Sequence, residues 1–190
     1  PYTTLFRSNL SACLAEKGKK VLTIDIDPQG NTTSGLGVDK NAAENTLYEL
    51  LLGEAETKDT IVKNVVENLD LIPSNINLSG AEIELIGIDN KEFILKGITD
   101  KLRRRYDYII LDCPPSLNML TINALTAATS VLVPIQCEYY ALEGLSQLIH
   151  TIDLVKERLN KRLKMEGVVF TMYDARTNLS LQVVENVKEN

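Results

Sequence analysis

Val21-Leu22-Thr23-Ile24-Asp25-Ile26-Asp27-Pro28-Gln29-Gly30-Asn31 begins as an apolar run and stops at two carboxylates, a proline and a glycine. Val21, Leu22, Ile24 and Ile26 are nearly continuous, as expected of a central parallel strand covered on both faces. Pro28 has no N–H to give to a ladder, so the strand ends at about Asp27. In open parallel α/β sheets the carboxyl ends of the strands form the ligand crevice. Asp25 and Asp27 are therefore delivered to the place where a phosphate-bound metal ion would sit. An ordinary strand exit with acidic turn residues has the same pattern.

A second stretch repeats the grammar. Tyr106-Asp107-Tyr108-Ile109-Ile110-Leu111-Asp112-Cys113-Pro114-Pro115-Ser116 is again an apolar strand, an aspartate at its end and a proline stop. Two such strand ends can share one cleft, where Asp112 could hold Mg²⁺, directly or through water, beside nucleotide phosphates.

The 190 residues suit one domain with a sizeable core, and 44% hydrophobic with 24% charged residues is ordinary for a globular chain. No apolar run is long enough to span a bilayer and no signal peptide is visible. Cys13, Cys113 and Cys137 are far apart and lack metal-ligand spacing, so they read as reduced and buried, in a cytosolic protein. A net charge of −6 argues against a general nucleic-acid surface, so any DNA contact must be local. The basic clusters at Lys17 to Lys20, Lys101 to Arg105 and Lys156 to Lys164 read as solvated helix ends and faces.

Along the chain, Asn9 to Glu16 reads as a helix stopped at Gly18. Gly35 and Gly37 read as turn formers, and Thr46 as the cap of a short helix from Leu47 to Leu52 that ends at Gly53. Leu69 to Ile72 reads as a strand stopped by Pro73. Helical periodicity covers Ile76 to Ile86, Glu92 to Arg104, Leu117 to Ala128 and Ala141 to Leu163. Val131 to Ile135 and Val168 to Met172 are further strands, and a helix starts at Leu179. Strands alternating with helices imply a doubly wound, mostly parallel α/β sheet with helices on both faces. His150, mid-helix with no nearby nucleophile, reads as a satisfied structural residue.

Four motifs in order carry a family resemblance: Asp25 to Asn31, Asp112 to Ser116, Pro134 to Gly144, and Tyr173-Asp174-Ala175-Arg176-Thr177-Asn178. From about Asn9 onward the chain resembles the ParA/MinD family of deviant Walker A ATPases, in its chromosomal ParA (Soj-like) branch. The resemblance implies a P-loop NTPase-like fold, ATP and Mg²⁺ as cofactors, and a homodimer. It also implies non-specific DNA of the nucleoid and a ParB-type protein as partners, in the cytoplasm and off the membrane. It implies that Asp27 positions the attacking water and that Asp25 is its partner in the Mg²⁺ network. Asp112 matches the Walker B aspartate, which makes Asp25, Asp27 and Asp112 the metal set with Asp25 and Asp112 beside the nucleotide. Pro114-Pro115-Ser116 begin a segment resembling switch II. Pro134 to Gly144 and the strand end near Thr171 and Met172 lie where such folds hold the base, where Tyr139 and Tyr140 could stack or simply pack. Arg176 resembles a DNA-backbone contact, although a salt bridge to Asp174 or a capping role would suit it equally.

In the family, a strand and a K-G-G-V-G-K-T-T loop precede the helix that holds Asn9 to Ala15. Here Pro1-Tyr2-Thr3-Thr4-Leu5-Phe6-Arg7-Ser8 stand in that place, without a glycine or lysine to cradle phosphates. One back-translation of this octapeptide reads as the end of a widely used sequencing adapter. The expectation is a non-native segment at 1–8 joined to an incomplete nucleotide-binding domain at 9–190. The expected function is a partitioning ATPase, inactive in the chain as it stands. A MinD-like division-site ATPase and a P-loop-less, non-catalytic interaction module are the alternatives.

Overall fold

β1 (Val21–Asp25) is buried at every position and has a parallel neighbour on each side. Val21 lies opposite Leu69 of β3 (Leu69–Ile72) and opposite Tyr108 of β4 (Tyr108–Asp112), and Asp25 lies opposite Asp112. β2 (Val62–Val66) joins the far edge of β3 in the antiparallel sense, which makes a four-stranded sheet of order β2-β3-β1-β4. The structure is a computed structural model that describes residues 2–189, with side chains described outside 2–5, 139–143 and 189.

Alternation along β1 sends its residues to two layers. Leu22, Ile24 and Ile26 enter one core with Leu47 and Leu50 of α3 (Leu47–Leu52) and Leu78 of α5 (Leu78–Glu84). Leu95 of α6 (Ile94–Leu102) and Leu120 of α7 (Met119–Ala127) complete that layer. Val21 packs on the other side with Ala15 of α1 (Tyr2–Glu16), and Thr23 Oγ1 donates to Ser11 Oγ of the same helix at 2.9 Å. The sheet is thus covered on both faces, and each fully buried Leu or Ile contributes roughly 2 kcal/mol. α3 starts as its sequence predicts: Thr46 N–H donates to Glu49 Oε2 at 2.7 Å, Thr46 Oγ1 accepts from Tyr48 N–H, and Gly53 closes the helix at φ 76°.

These elements form one compact unit, Thr3–Ala128, and a second unit begins at Thr129. In the second, β5 (Ser130–Gln136) and β6 (Lys164–Thr171) pair in parallel across α8 (Tyr139–Arg158), and α9 (Asn178–Glu189) follows. Val133, Ile135 and Leu145 form its core, with Val168, Phe170 and Val187 against it. No helix among the described residues is long and apolar enough to cross a membrane.

Several expectations need correction. The helix expected from Asn9 runs through the octapeptide from Tyr2. The turn expected after Asn31 is a short helix, α2 (Asn31–Gly35). A second short helix, α4 (Thr57–Thr60), and strand β2 were not anticipated, because β2 carries Lys63 and Asn64 at exposed positions and lacks an apolar run. α8 stops at Arg158 instead of Leu163, because Asn160 N–H leaves the i→i−4 ladder and goes to Val155 O, the carbonyl that Leu159 N–H already uses. Cys13 is exposed, Cys113 half-buried and Cys137 buried, all as free thiols, and His150 is exposed on α8.

Candidate functional site

The carboxyl ends of β1 and β4 lie side by side, so Asp25 and Asp112 are neighbours in the ladder. Both are buried, at 0% and 1% exposure. Asp25 Oδ2 accepts from Thr33 N–H at 2.8 Å and Thr33 Oγ1 at 2.7 Å, and its Oδ1 accepts from Asp27 N–H at 3.2 Å. Burial raises its pKa above the ordinary carboxylate value, against these hydrogen bonds. Asp112 Oδ2 accepts from Thr32 Oγ1, and its Oδ1 is ion-paired with the guanidinium of Arg7. Burial pushes the Asp112 carboxyl up to about 6; Arg7 and Thr32 oppose this, and Asp25 and Asp27 add to it.

Asp27 follows the strand and is half-buried. Its Oδ1 accepts from Gln29 N–H at 2.9 Å, and its carbonyl accepts from Gly30 N–H and Ser74 Oγ, each at 2.9 Å. Gly30 has φ 60°, and a Cβ there would stand 2.7 Å from Ser74 O, so this turn requires glycine. Ser74 N–H donates to Thr33 Oγ1 at 3.0 Å, which ties the end of β3 to the same cluster. A cavity of about 410 Å³ opens beside these groups, and Arg7, Asp27, Gln29, Asn31, Ser116 and Asn118 line it. Its far wall is the loop after β4. That loop is held by Thr121 Oγ1 donating to Ser116 O at 2.7 Å and by Asn118, whose Oδ1 caps α7 through Thr121 N–H at 3.1 Å.

The three aspartates expected from the sequence therefore meet at one place. Thr32, Thr33, Ser74 and Arg7 were not anticipated: a threonine pair and a serine carry no signal until their partners are known. Arg176 lies in the second unit, 88% exposed at its side chain. Its Nε and Nη2 donate to the two oxygens of Asp174 at 2.9 and 2.8 Å, which is the salt bridge weighed from the sequence. In the same unit Thr171 Oγ1 donates to Ile135 O at 3.0 Å. The side chains of Tyr139 and Tyr140 lie outside the described residues.

The family model AAA_31, an AAA domain, matches residues 3–165. Over 181 residues the chain is 58% identical to the sporulation initiation inhibitor protein Soj of Bacillus subtilis, in a match that covers 95% of this chain and 72% of that protein. It is 52% identical over 180 residues to the chromosome partitioning protein ParA of Myxococcus xanthus, across 95% of this chain and 64% of that one.

The chain belongs to the ParA/MinD family, in its Soj/ParA branch.

The ParA fold extends to solved structures. Cobyrinic acid a,c-diamide synthase of Mycobacterium smegmatis, with bound ATP analog and magnesium, superimposes with a TM-score of 0.91 at 41% identity. The match covers all of this chain and 76% of that one. The architecture is thus the P-loop NTPase-like α/β fold with a mostly parallel sheet. In this ParA-family chain the carboxylates as arranged do not fit a magnesium ion. Both oxygens of Asp112 are taken, by Arg7 and Thr32, and both oxygens of Asp25 by N–H and O–H donors. Among the described residues no group of three His, Cys, Asp or Glu is set to hold a metal. Of the three aspartates, Asp27 lines the cavity, and Asp25 and Asp112 do not.

Proposed function

We propose that the whole protein is a ParA-type partitioning ATPase. In this reading an ATP-dependent homodimer binds nucleoid DNA without sequence preference, in the cytoplasm, and a ParB-type partner releases it by stimulating hydrolysis. The observation that carries the reading is the meeting of Asp25, Asp27 and Asp112 at adjacent strand ends beside an open cavity. Phosphoryl transfer to water needs an oriented nucleophile and little covalent help from the protein. Asp27 is suited to orienting that water, because the Gln29 N–H fixes its carboxylate while the side chain remains open to the cavity.

Mg²⁺ is the cofactor of the whole protein in this reading: with the family's loop in place of residues 1–8, Asp112 is released from Arg7, and Asp25, Asp27 and Asp112 would reach the ion directly or through water. Residues 1–8 are a non-native stand-in for a phosphate loop, and 9–190 are an incomplete nucleotide-binding domain. The edge of β4 supports this. Ile109, Ile110 and Leu111 are only half-buried, and β1 is the one strand paired with β4 in its sheet among the described residues. An apolar parallel strand ordinarily has neighbours on both sides. Asp27 to Asn31 and Tyr173 to Thr177 favour a ParA over a MinD-like membrane ATPase. Arg176, exposed in the loop after β6, is the proposed DNA contact.

The test compares three proteins by calorimetry and ATP turnover: this chain, the whole protein with K-G-G-V-G-K-T-T before Asn9, and its Asp27→Ala variant. This chain is expected to bind ATP feebly or not at all, because the phosphates find no cradle of N–H donors and no lysine. The whole protein binds and hydrolyses, and Asp27→Ala keeps binding but loses turnover, since orienting water matters mainly in the transition state. Micromolar ATP affinity in this chain would overturn its inactivity. Equal loss of binding and turnover would reassign Asp27. A whole protein without turnover would leave the interaction module as the better reading.

A further inference from the structure

We infer that the guanidinium of Arg7 is the resident cation of the aspartate cluster and keeps divalent ions off Asp112. Arg7 pairs through Nη1 with Asp112 Oδ1 and donates to the Cys113 carbonyl, so it reaches a carboxylate and a backbone oxygen at the same strand end. The two side chains are 17% and 2% exposed. Asp112 Oδ1 has no hydrogen-bond partner among the described residues, so its charge is answered by this ion pair. Three carboxylates converge here, and an unanswered buried charge of that kind either protonates or recruits a cation. Mg²⁺ demands near-ideal octahedral coordination at short range and sheds water reluctantly. A planar guanidinium already seated on the carboxylate and on the Cys113 carbonyl leaves no room for that geometry. Arg7 is carried by α1, which Ser11 joins to β1 through Thr23. The cation is therefore delivered by the fold and does not depend on a bound ligand. The inference concerns the chain with Arg7 in place and is independent of the ATPase reading of the whole protein.

The experiment uses this chain and Mn²⁺ alone, followed by electron paramagnetic resonance, without nucleotide. With Arg7 present, no Asp112-dependent Mn²⁺ binding is expected at millimolar concentration. Arg7→Ala gains it, at least about tenfold tighter, because the buried carboxylate has lost its counter-ion. The gain disappears in Arg7→Ala/Asp112→Asn. Equal Asp112-dependent binding with and without Arg7, or none in either, overturns the inference. A second measurement reads the Arg7 Nη1–H resonance, the group that makes both contacts, in the unaltered chain and in Asp112→Asn. It should be protected from solvent exchange and should lose that protection in Asp112→Asn. An Arg7 resonance that exchanges like a free surface arginine would overturn the inference equally.

Discussion

At the scale of single residues, Thr33 organises the aspartate cluster. Its hydroxyl donates to Asp25 and accepts from Ser74 N–H, and its own N–H donates to the same Asp25 oxygen. Thr33→Val keeps the shape and deletes the hydroxyl, which leaves a buried carboxylate and a buried N–H short of partners. The expected cost is about 1–3 kcal/mol, read as a lowered urea midpoint with an unchanged slope. A midpoint indistinguishable from the parent's would show that the cluster does not depend on this hydroxyl. The aspartates were legible from their places at strand ends. Thr33 was not, because its value comes from Ser74, which arrives from the loop after β3.

At the scale of elements, β2 is pinned to the sheet by a polar triad. Lys63 Nζ donates to Asp70 Oδ2 at 2.6 Å and to Tyr106 Oη at 3.0 Å, and Tyr106 Oη donates to Asp70 Oδ2 at 2.6 Å. Asn64 N–H adds a bond to Asp70 Oδ1 at 2.9 Å. Burial works against ionisation of Asp70, yet the hydrogen bonds from Lys63, Tyr106 and Asn64 outweigh it, and its pKa lies below the ordinary value of 3.8. The group's stabilising contribution is therefore fully present above that pH and is lost as pH falls through the depressed value. Asp70→Asn is expected to remove that part of the acid limb. Lys63 is half-exposed, so the loss at neutral pH is only about 1 kcal/mol. Unfolding followed across the acid range up to neutrality checks it: parallel curves for parent and variant would mean that Asp70 does not titrate with folding. This element escaped a sequence reading for the same reason that it needs the triad, since an edge strand with lysine and asparagine outward has little apolar surface to hold it.

At the scale of the whole molecule, the net charge of −6 makes any DNA contact a matter of a few local cations. Arg176 already has a partner in Asp174, but the pair is exposed and worth little to stability. In the whole protein with ATP, Arg176→Glu is expected to weaken DNA binding and flatten the log–log salt dependence by roughly one unit. Dimerisation, basal turnover and the melting temperature should stay as they were. An unchanged salt slope with a lowered melting point would make Arg176 part of the scaffold through Asp174.

The sequence by itself determined the α/β alternation, the ends of the central strands, the Thr46-capped helix and the family. Each of these is written in local signals: an apolar run, a proline stop, a capping pair, a motif of fixed order. Tertiary structure alone decided which polar groups answer the buried carboxylates of Asp25 and Asp112. Arg7, Thr32 and Thr33 come from helices before and after β1, and they meet those two aspartates only because parallel pairing sets Asp25 and Asp112 opposite each other. A hydrogen bond or ion pair depends on distance in space, and spacing along the chain does not record it.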